Sequence, residues 1–348
     1  MKGATLFGGG EGVGVGMTMA GIQHLWGIEY DADICGVACQ NSFNSLHLDA
    51  TQADPQVIIK AHGWPDILHA SPPCPNFSNA KTGGEETELD IALAYAVCRF
   101  IEVIKPRIFT LENVWAYRGS KSWERIFETL CALGYGVNYW HLNAANFGVP
   151  QTRKRMIVVA LRSGERQQRP TATHAKDPKP MFDTRLPWVG WYAAIEDLIP
   201  TLPESQFAPW QLERLPDEIR NNVIVDCNTT GIERAKVNQT HLGNEPIGTI
   251  PAQLAGGLPR ALLVGDQRRQ YADKVSQAFT VRAGDNCGAE PRANVQGRVV
   301  QMTPRALARF QSFPDWYELP EKKALACRVI GNAVPPLMYK MIIEQVII

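Results

Sequence analysis

The sequence predicts an α/β fold, in which helices cover both faces of a doubly wound, mostly parallel sheet, joined to a smaller and irregular second domain. Three observations lead to this prediction. Short apolar runs alternate with amphipathic runs over residues 1–162, a glycine-rich turn follows the first apolar run, and the alternation ends after Arg162. Strands that alternate with helices are typical of parallel sheets, because each connection between parallel strands crosses one face of the sheet.

Short apolar runs predict the strands, and longer runs with helical spacing predict the helices. The strands are expected at residues 4–7, 24–29, 66–70, 107–111 and 156–161. The helices are expected at residues 31–41, 89–104, 122–133, 303–310 and 339–347. The clearest helix is 89–104, whose apolar residues recur at i, i+3, i+4 and i+7 and which stops before Pro106.

Composition indicates a globular protein, of about two domains at roughly 150 residues each. The 348 residues are 45% hydrophobic and 20% charged, which is enough apolar material for a sizeable core. No apolar run approaches the roughly 20 residues that span a bilayer. The start of the chain is rich in glycine and carries Glu11, unlike a secretory signal. We therefore expect a cytoplasmic protein without a membrane segment.

The eight cysteines form no Cys-x-x-Cys pair, so we expect no metal site. Cys35 and Cys39 lie on one predicted helix face, where burial as small apolar residues explains them more simply than metal binding.

The formal net charge is zero, which argues against a protein held to nucleic acid by bulk charge alone. It does not exclude a local basic groove, because a binding field depends on where the charges lie. Six basic residues crowd one short stretch that is either such a groove or a solvated surface loop: Arg153, Lys154, Arg155, Arg162, Arg166 and Arg169.

A glycine-rich turn at residues 8–16, with the sequence GGGEGVGVG, follows the first predicted strand. Glycines there let the backbone approach a ligand closely, and the helix that follows offers free N–H groups. Glu29, at the end of the second strand and about 20 residues further on, is placed to bind ribose hydroxyls. A flexible turn would explain the glycines alone. With Glu29, they favour an adenosine-containing cofactor without choosing between NAD and S-adenosylmethionine.

Cys74 lies between prolines in a loop after the strand 66–70. Most isolated cysteines are inert core residues, but the prolines fix this one at the sheet edge where α/β proteins bind ligands. Glu112 ends the strand 107–111 at the same edge, either as an acid partner or as a helix cap or surface charge. Arg153 and Arg155 alternate in an extended segment, so both face one side.

These motifs, in this order, resemble those of the cytosine-C5 DNA methyltransferases of the bacterial and phage type, which have a single target-recognition domain. The matching segments are TLFGGGEGVGVG, IEYDADICGVACQNSFN, LDATQA, PDILHASPPCPNFS, LENV, QTRKR, RVVQMTPRALARFQSFPD and VIGNAVPP. They run from residue 4 to residue 336, and residues 163–297, rich in Pro, Gly, Asn, Gln and Arg, fall where that family carries its variable domain.

The resemblance implies the Rossmann-like fold of class I S-adenosylmethionine-dependent methyltransferases. It implies a catalytic domain in residues 1–162 plus 320–348 and a target-recognition domain in residues 163–319. The substrate is then double-stranded DNA, from which the target cytosine is flipped out of the helix. A cognate restriction endonuclease that acts on the same site and a monomeric enzyme complete these expectations.

Four residues carry the chemistry by this resemblance. The Cys74 thiolate adds to C6 of cytosine, because C5 is too poor a nucleophile to accept a methyl group unaided. Glu112 protonates or hydrogen-bonds N3 and the exocyclic amine, and Arg155 binds O2. Arg153 helps to set the nucleophile and phosphate geometry.

The resemblance also assigns the cofactor contacts. Phe7 and Gly9 lie near the methionine half of S-adenosylmethionine, and Glu29 binds its ribose. The residues expected around adenine, or folded back beside the first loop, are Tyr30, Asp49, Ala50, Asn332 and Val334.

One departure concerns the cofactor loop, which in this family begins with an acidic residue and reads small-Gly-x-Gly-Gly. Here Thr5 takes the acidic place, and Glu11 takes a place that is normally glycine. A carboxylate beside the carboxylate of the cofactor is unfavourable unless it points away or meets the amino group or the sulfonium.

Three other interpretations compete with a DNA methyltransferase. A tRNA-acting branch of the superfamily shares the SPPC loop, but its Cys-Phe-Thr signature is absent from this sequence. A catalytically silent DNA-binding relative would not need Cys74, Glu112, Arg153 and Arg155 together. A nicotinamide-dependent dehydrogenase would explain only the glycine loop and Glu29.

Overall fold

The computed structural model describes residues 1–73, 86–179, 181, 183–205, 223–225, 240–242, 244–247, 260–263 and 298–347. The first part of the chain alternates strands and helices in this order: β1 (Lys2–Leu6), α1 (Gly12–Met19), β2 (Gln23–Glu29), α2 (Ala32–Gln40), β3 (Ser45–His47), α3 (Pro55–His62), β4 (Ile67–Ala70), α4 (Glu88–Ile104), β5 (Ile108–Asn113), α5 (Lys121–Ala132), β6 (Gly136–Asn143) and β7 (Lys154–Leu161).

The later part consists of shorter elements, followed by three helices. Its order is β8 (His174–Ala175), β9 (Leu186–Pro187), α6 (Trp191–Ile195), β10 (Val223–Val225), β11 (Thr240–Leu242), β12 (Arg260–Leu263), β13 (Arg298–Gln301), α7 (Pro304–Phe310), α8 (Lys323–Asn332) and α9 (Pro336–Ile343). No helix in these described ranges is long and apolar enough to cross a membrane.

Within the described residues, seven strands form the main sheet in the order β3-β2-β1-β4-β5-β7-β6. Strands β1 to β5 pair in parallel, whereas β7 runs antiparallel to both β5 and β6. The strand order reverses between β1 and β4, and such a switch point is where open α/β sheets bind ligands, beyond the carboxyl ends of the strands. The predicted α/β class with a mostly parallel sheet is confirmed.

Two strands of this sheet, β3 and β6, and three helices, α3, α6 and α8, were not predicted from the sequence. β3 is only three residues long, and β6 mixes buried with exposed positions because it is the edge strand. α3 carried a readable signal, since Asp54 caps its N-terminus and Pro55 takes its first position. The last helix begins three residues before the prediction, at Pro336.

In the part of the chain that the structure describes, the two largest clusters of buried apolar side chains make up most of the core. One lies between the sheet and α4 and α5, and includes Trp26, Phe100 and Phe109. The other connects α2 to the later part of the chain, with Trp191 and Phe310 in its interior. Because this second cluster continues into α8, the later part packs directly on the sheet domain, and the division at residues 163 and 320 stays a prediction.

Two glycines of α1 let the end of the chain approach its backbone. A Cβ on Gly12 would lie 2.6 Å from the carbonyl oxygen of Val334, and one on Gly16 would lie 2.7 Å from that of Pro336. Both distances are shorter than van der Waals contact, so only glycine fits. The segment 331–336 is thereby held against the helix that follows the glycine-rich turn.

Gly16→Ala is expected to destabilise the protein by about 1–3 kcal/mol, because the backbone of Pro336 must move to admit the methyl group. The matched control is Gly36→Ala in α2, where nothing lies within 4 Å of the added carbon. That change should stabilise the protein by about 0.5–1 kcal/mol through helix propensity. Urea unfolding measures both values, and equal effects of the two changes would contradict the close packing.

Candidate active site

The predicted site residues follow the ends of neighbouring strands at one edge of the main sheet. β1 leads into the glycine-rich turn, β2 ends at Glu29, and β4 is followed by Ser71 and Pro72. β5 ends in Glu112 and Asn113, and β7 begins beside them because its antiparallel direction returns the chain to this edge. The carboxyl edge of the sheet therefore collects the cofactor candidates and the acid candidate.

Glu112 is paired with the two predicted arginines. Arg155 Nε lies 3.0 Å from Glu112 Oε1, and Arg153 Nη2 lies 4.0 Å from the same oxygen. The glutamate and Arg153 are buried, whereas the side chain of Arg155 is 16% exposed. Of this cluster, Arg155 is therefore the cation that a bound substrate can reach.

Arg153 is the buried arginine of this cluster and connects the cluster to α8. Its Nη1 donates to the carbonyl oxygen of Gly331 at 3.1 Å. Burial, and next the charge of Arg155, lower the pKa of Arg153 to about 9, against the opposing effect of Glu112. A cation that is this costly to bury stays in place only with partners such as this carboxylate.

Two glutamines that the sequence analysis did not select extend this connection. Gln151 Nε2 donates to Gln311 Oε1 at 2.6 Å, and Gln311 Nε2 donates to the carbonyl oxygen of Ala333 at 2.5 Å. Both side chains are completely buried. Gln151 is the first residue of the QTRKR motif, and Gln311 lies in the RFQSFP segment. Both glutamines are therefore in motifs that were recognised, but their contact could not be predicted because they are 160 positions apart in the sequence.

Cys74 lies outside the described residues, which end at Pro73 and resume at Glu86. The chain that leads to it is anchored beside Glu112. Asn113 Nδ2 donates to the carbonyl oxygen of Pro72 at 3.0 Å, and the Ser71 N–H donates to that of Leu6 at 3.2 Å. Asn113 is a further residue of this edge that the motif LENV contains but the sequence analysis did not select.

His69 supports the same loop from within the sheet. Its Nε2 lies 2.7 Å from Ser71 Oγ, and its Nδ1 lies 2.8 Å from Thr110 Oγ1. Burial lowers the pKa of His69 to about 3. The imidazole is therefore neutral at physiological pH and bridges two hydroxyl groups.

Glu29 faces the glycine-rich turn. Its Oε2 accepts a hydrogen bond from the Gly9 N–H at 2.9 Å, and its Oε1 accepts one from the Asp31 N–H at 2.8 Å. Burial raises the pKa of Glu29, which these backbone hydrogen bonds oppose. Beyond it, Asp49 Oδ1 accepts from the N–H and the hydroxyl of Thr51.

These residues fit an adenosine-containing cofactor. Glu29 and Asp49 are only partly buried, so their carboxylates can accept from ribose hydroxyls or an amine. Gly9 has φ +57° and nothing within 4 Å of a Cβ position, so this turn leaves room for a ligand. Exposed Tyr30 and buried Ala50 offer apolar surface beside these acceptors.

Of the two late predicted residues, the structure places Val334 next to this turn. Val334 is buried with its backbone against Gly12, whereas Asn332 is exposed. Tyr317 also reaches the turn, since its hydroxyl donates to the carbonyl oxygen of Gly10 at 2.5 Å.

Glu11 points away from the open side of the turn, which resolves the conflict foreseen from the sequence. Its carboxylate is fully buried and accepts from the Thr5 hydroxyl at 2.8 and 3.0 Å. His24 Nε2 lies 3.1 Å from Oε2. The backbone of Glu11 is left-handed, at φ 60° and ψ 40°, a conformation that costs a non-glycine residue about 1–2 kcal/mol.

The basic residues of the stretch 153–169 do not form a single surface. Arg153 is buried, and Arg162 donates to the carbonyl oxygen of Lys105. Lys154, Arg155 and Arg169 instead lie near His141. Partial desolvation lowers the pKa of His141, and the positive charges of these three residues lower it further.

Aromatic rings continue this basic surface. His141 stacks on Trp115 with ring centroids 4.6 Å apart, and the guanidinium of Arg118 lies 4.8 Å from the Trp115 ring. Trp115 comes two residues after β5 ends, and Arg155 is among the charges that act on His141, so the surface lies near Arg155. The basic-aromatic surface is defined here as Trp115, Arg118, His141, Lys154 and Arg169.

Because His69 is neutral when folded, the unfolded chain binds a proton there as the pH falls from about 6.5 towards 3, and the folded chain does not. The stability that this neutral group contributes is present above pH 6.5 and is lost as the pH drops. His69→Gln keeps a polar side chain and should reduce this pH dependence by up to about 1.4 kcal/mol per pH unit. Urea unfolding at several pH values tests this, with exposed His47→Gln as the control. An unchanged slope in the His69 variant would contradict a buried neutral imidazole.

Comparison with known proteins identifies the family of this chain. The chain matches the family described as C-5 cytosine-specific DNA methylase over residues 1–347. The Type II methyltransferase M1.HphI of Haemophilus parahaemolyticus is 25% identical, with 98% of this chain and 85% of the relative covered. M.AplI of Arthrospira platensis is 27% identical, with 98% and 84% covered.

A solved structure shows the same fold. The crystal structure of a DNMT2 mutant from Spodoptera frugiperda is 17% identical and has a TM-score of 0.63, with 100% of this chain and 99% of that chain covered. The chain therefore belongs to the C-5 cytosine-specific DNA methylases, enzymes that transfer a methyl group from S-adenosylmethionine to C5 of cytosine in DNA.

Proposed function

We propose that Cys74, Glu112 and Arg155, with Arg153 in support, perform the reaction on a cytosine that is flipped out of duplex DNA. The observation that carries this proposal is the contact between Arg155 and Glu112, 3.0 Å apart at the carboxyl edge of the sheet. Asn113, the next residue, binds the carbonyl oxygen of Pro72, two residues before the proposed nucleophile. The acid, the cation and the approach to the thiol thus share one place in the fold.

Each residue type answers a need of the reaction. The sulfur of Cys74 bonds to C6, and the electron pair of the C5–C6 double bond becomes available at C5. S-adenosylmethionine supplies the electrophilic methyl group. Glu112 donates a proton or a hydrogen bond at N3, and Arg155 donates to O2, so that both absorb the negative charge that enters the ring. After methylation a water molecule accepts the C5 proton, the C5–C6 double bond re-forms, and the bond from C6 to sulfur breaks to release the Cys74 thiolate.

We assign to Arg153 a positioning role. The sequence predicted that it helps to set the nucleophile and phosphate geometry, but its guanidinium is buried under Glu112 and bonded to Gly331. That location favours orientation of the Glu112 carboxylate over contact with a phosphate. Phosphate contacts are better assigned to the basic-aromatic surface beside Arg155.

This surface would hold the DNA next to the flipped base. Flipping costs a few kcal/mol, which contacts to phosphates and stacked bases must offset. Lys154 and Arg169 offer charge, and the stacked Trp115 and His141 offer ring faces. A chain without net charge can bind DNA when its cations are concentrated in this way. We assign sequence recognition to the domain of residues 163–319.

The cofactor lies, in this proposal, along the ends of β1, β2 and β3. Glu29 accepts from the ribose hydroxyls, and Asp49 accepts from the adenine amine. The other proposed contacts are Phe7, Gly9, Tyr30, Ala50, Asn332 and Val334.

The names of the relatives support a biological setting. Because they are Type II methyltransferases, we propose sequence-specific modification by a cytoplasmic monomer, with a cognate restriction endonuclease that cleaves the same site when it is unmethylated.

Cys74→Ser should lower methyl transfer to duplex DNA by roughly 10³-fold or more, because the hydroxyl cannot replace the thiolate as nucleophile. Cys131→Ser, which changes an exposed cysteine of α5, is the matched control and should retain full activity. The measurement is transfer of labelled methyl from S-adenosylmethionine, with duplex DNA and tRNA as parallel substrates.

A second readout is covalent capture on DNA that contains 5-fluorocytosine, which blocks the last step of the reaction. Capture should require Cys74, and sequencing of the methylated positions then gives the recognition sequence. Transfer to tRNA alone would refute the DNA substrate, and full activity of Cys74→Ser would refute the mechanism.

Arg155→Lys removes the Nε contact with Glu112 and the planar guanidinium, and should lower kcat by roughly 10²-fold. The affinity for S-adenosylmethionine should not change, because Arg155 lies on the side of the site proposed for cytosine. Arg162→Lys, at an exposed position in the same basic stretch, is the control. Loss of cofactor affinity with kcat unchanged would contradict the assignment.

A further inference from the structure

We propose that Glu11 is a positioning residue that fixes the cofactor loop, residues 7–10, from beneath and thereby sets the affinity for S-adenosylmethionine. The inference depends on the proposed contact between this loop and the cofactor, and adds a residue that does not itself touch the ligand.

The space that holds the Glu11 carboxylate is shaped for it. A Cβ on Gly8 or Gly27 would overlap Oε1, and one on Gly14 would lie 2.8 Å from Oε2. Three glycines from the turn, from β2 and from α1 thus leave room for one buried carboxylate. A buried carboxylate needs hydrogen-bond donors in place of water. Thr5 on β1 and His24 on β2 supply them.

The donors fix the carboxylate to two strands. Thr5 Oγ1 donates to both carboxylate oxygens. His24 Nε2 must carry a proton to face Oε2 at 3.1 Å, since a carboxylate only accepts. The ring of Phe43 packs edge-on against His24, with centroids 5.3 Å apart, and keeps it in this orientation.

The backbone of Glu11 transmits this fixation to the loop. Its N–H donates to the carbonyl oxygen of Gly8, and its carbonyl oxygen accepts from the Val15 N–H in the first turn of α1. Phe7, Gly9 and Glu11 all have positive φ, so three alternate residues are left-handed. Two of them are not glycine, and such strain persists only where the surroundings over-determine it, as they do at ligand clamps.

The consequence for the cofactor follows from the next hydrogen bond. Gly9 lies two residues before Glu11, and its N–H donates to Glu29 Oε2, the proposed ribose acceptor. Without the buried carboxylate, the turn is free to leave its strained conformation, and the Gly9–Glu29 bond is lost with it. The association constant for the cofactor is then multiplied by the fraction of time that the loop spends in the binding conformation. The chemical step, which occurs at Glu112 and Arg155, is not affected.

The test compares Glu11→Gly and Thr5→Val with the parent chain. Glu11→Gly removes both the carboxylate and the strain, whereas Thr5→Val removes only the hydroxyl donor. If the loop adopts the binding conformation about a tenth of the time in Glu11→Gly, Kd rises about tenfold. Calorimetry gives Kd for S-adenosyl-L-homocysteine. Steady-state kinetics gives KM for S-adenosylmethionine and kcat at saturation. We expect a smaller rise in Kd for Thr5→Val and an unchanged kcat in both variants.

The rescue variant is the double change Thr5→Asp with Glu11→Gly. Because Thr5 Oγ1 lies 2.8 Å from Glu11 Oε1, an aspartate at position 5 returns a carboxylate to nearly the same space, facing His24. The double variant should recover most of the affinity lost in Glu11→Gly. Thr18→Val, which removes an exposed hydroxyl of α1 bonded to Gly14, is the control and should bind as the parent does.

Several outcomes would overturn the proposal. Parental Kd values in both single variants would do so, as would a fall in kcat without a change in Kd or in KM for the cofactor. A lower thermal midpoint with unchanged affinity would show a merely structural role. If Glu11→Gly fails to fold, Thr5→Val and the double variant decide. Glu29→Gln tests the proposed cofactor contact separately. If this change leaves Kd unchanged, the proposed contact between Glu29 and the cofactor is wrong. If it raises Kd while the Glu11 and Thr5 variants keep the parental Kd, only the inference about Glu11 is refuted.

Discussion

The pairing register between β5 and β7 is the constraint on which the candidate site depends. Glu112 pairs with Ile157, and side chains two apart in a strand share a face, so Arg155 lies on the same face as Glu112. A slip of one residue would reverse the faces of β7 and present Lys154 to the carboxylate. The register is secured because β7 is buried between two strands. Met156 and Val158 pack in the core layer on one face of the sheet, whereas Ile157 and Val159 pack on the other face, so a slip would move each of these side chains into the wrong layer.

Local pattern was sufficient for the fold class but not for the sheet order. The apolar runs that became β1, β2, β4, β5 and β7 are short and continuous, as expected for strands covered on both faces. The edge strands β3 and β6 lack this signal because one side of each has no neighbouring strand. Nothing in the run MIVVAL specifies that β7 inserts between β5 and β6 in the opposite direction, since strand direction depends on contacts far away in the chain.

The same distinction holds for the site. Motif order selected Glu112, Arg153 and Arg155, and the fold brings them together. It did not indicate that Arg153 is buried against Gly331, or that Gln151 and Gln311 link the motifs, because those contacts join residues more than 150 positions apart. The error over Cys39, which is exposed although burial was expected, has a local cause: a helix face covers only part of its circumference.

Two buried carboxylates lie near the carboxyl edge of the main sheet, Glu11 with Thr5 and His24, and Glu112 with the two arginines. Desolvation makes a buried ion pair a weak source of stability, and apolar replacements of similar shape are often as stable or more so. Stability alone therefore gives little reason for charges at these positions. Orientation is a better reason, because a buried pair whose partners lie on different elements tolerates few alternative arrangements. One cluster fixes the turn beside Glu29 and the other fixes the carboxylate beside Pro72. The segment 331–334 contacts Arg153 of the second cluster and Gly12, the residue that follows Glu11 in the chain. The two halves of the candidate site are thus connected by a segment that lies outside the strands that carry them.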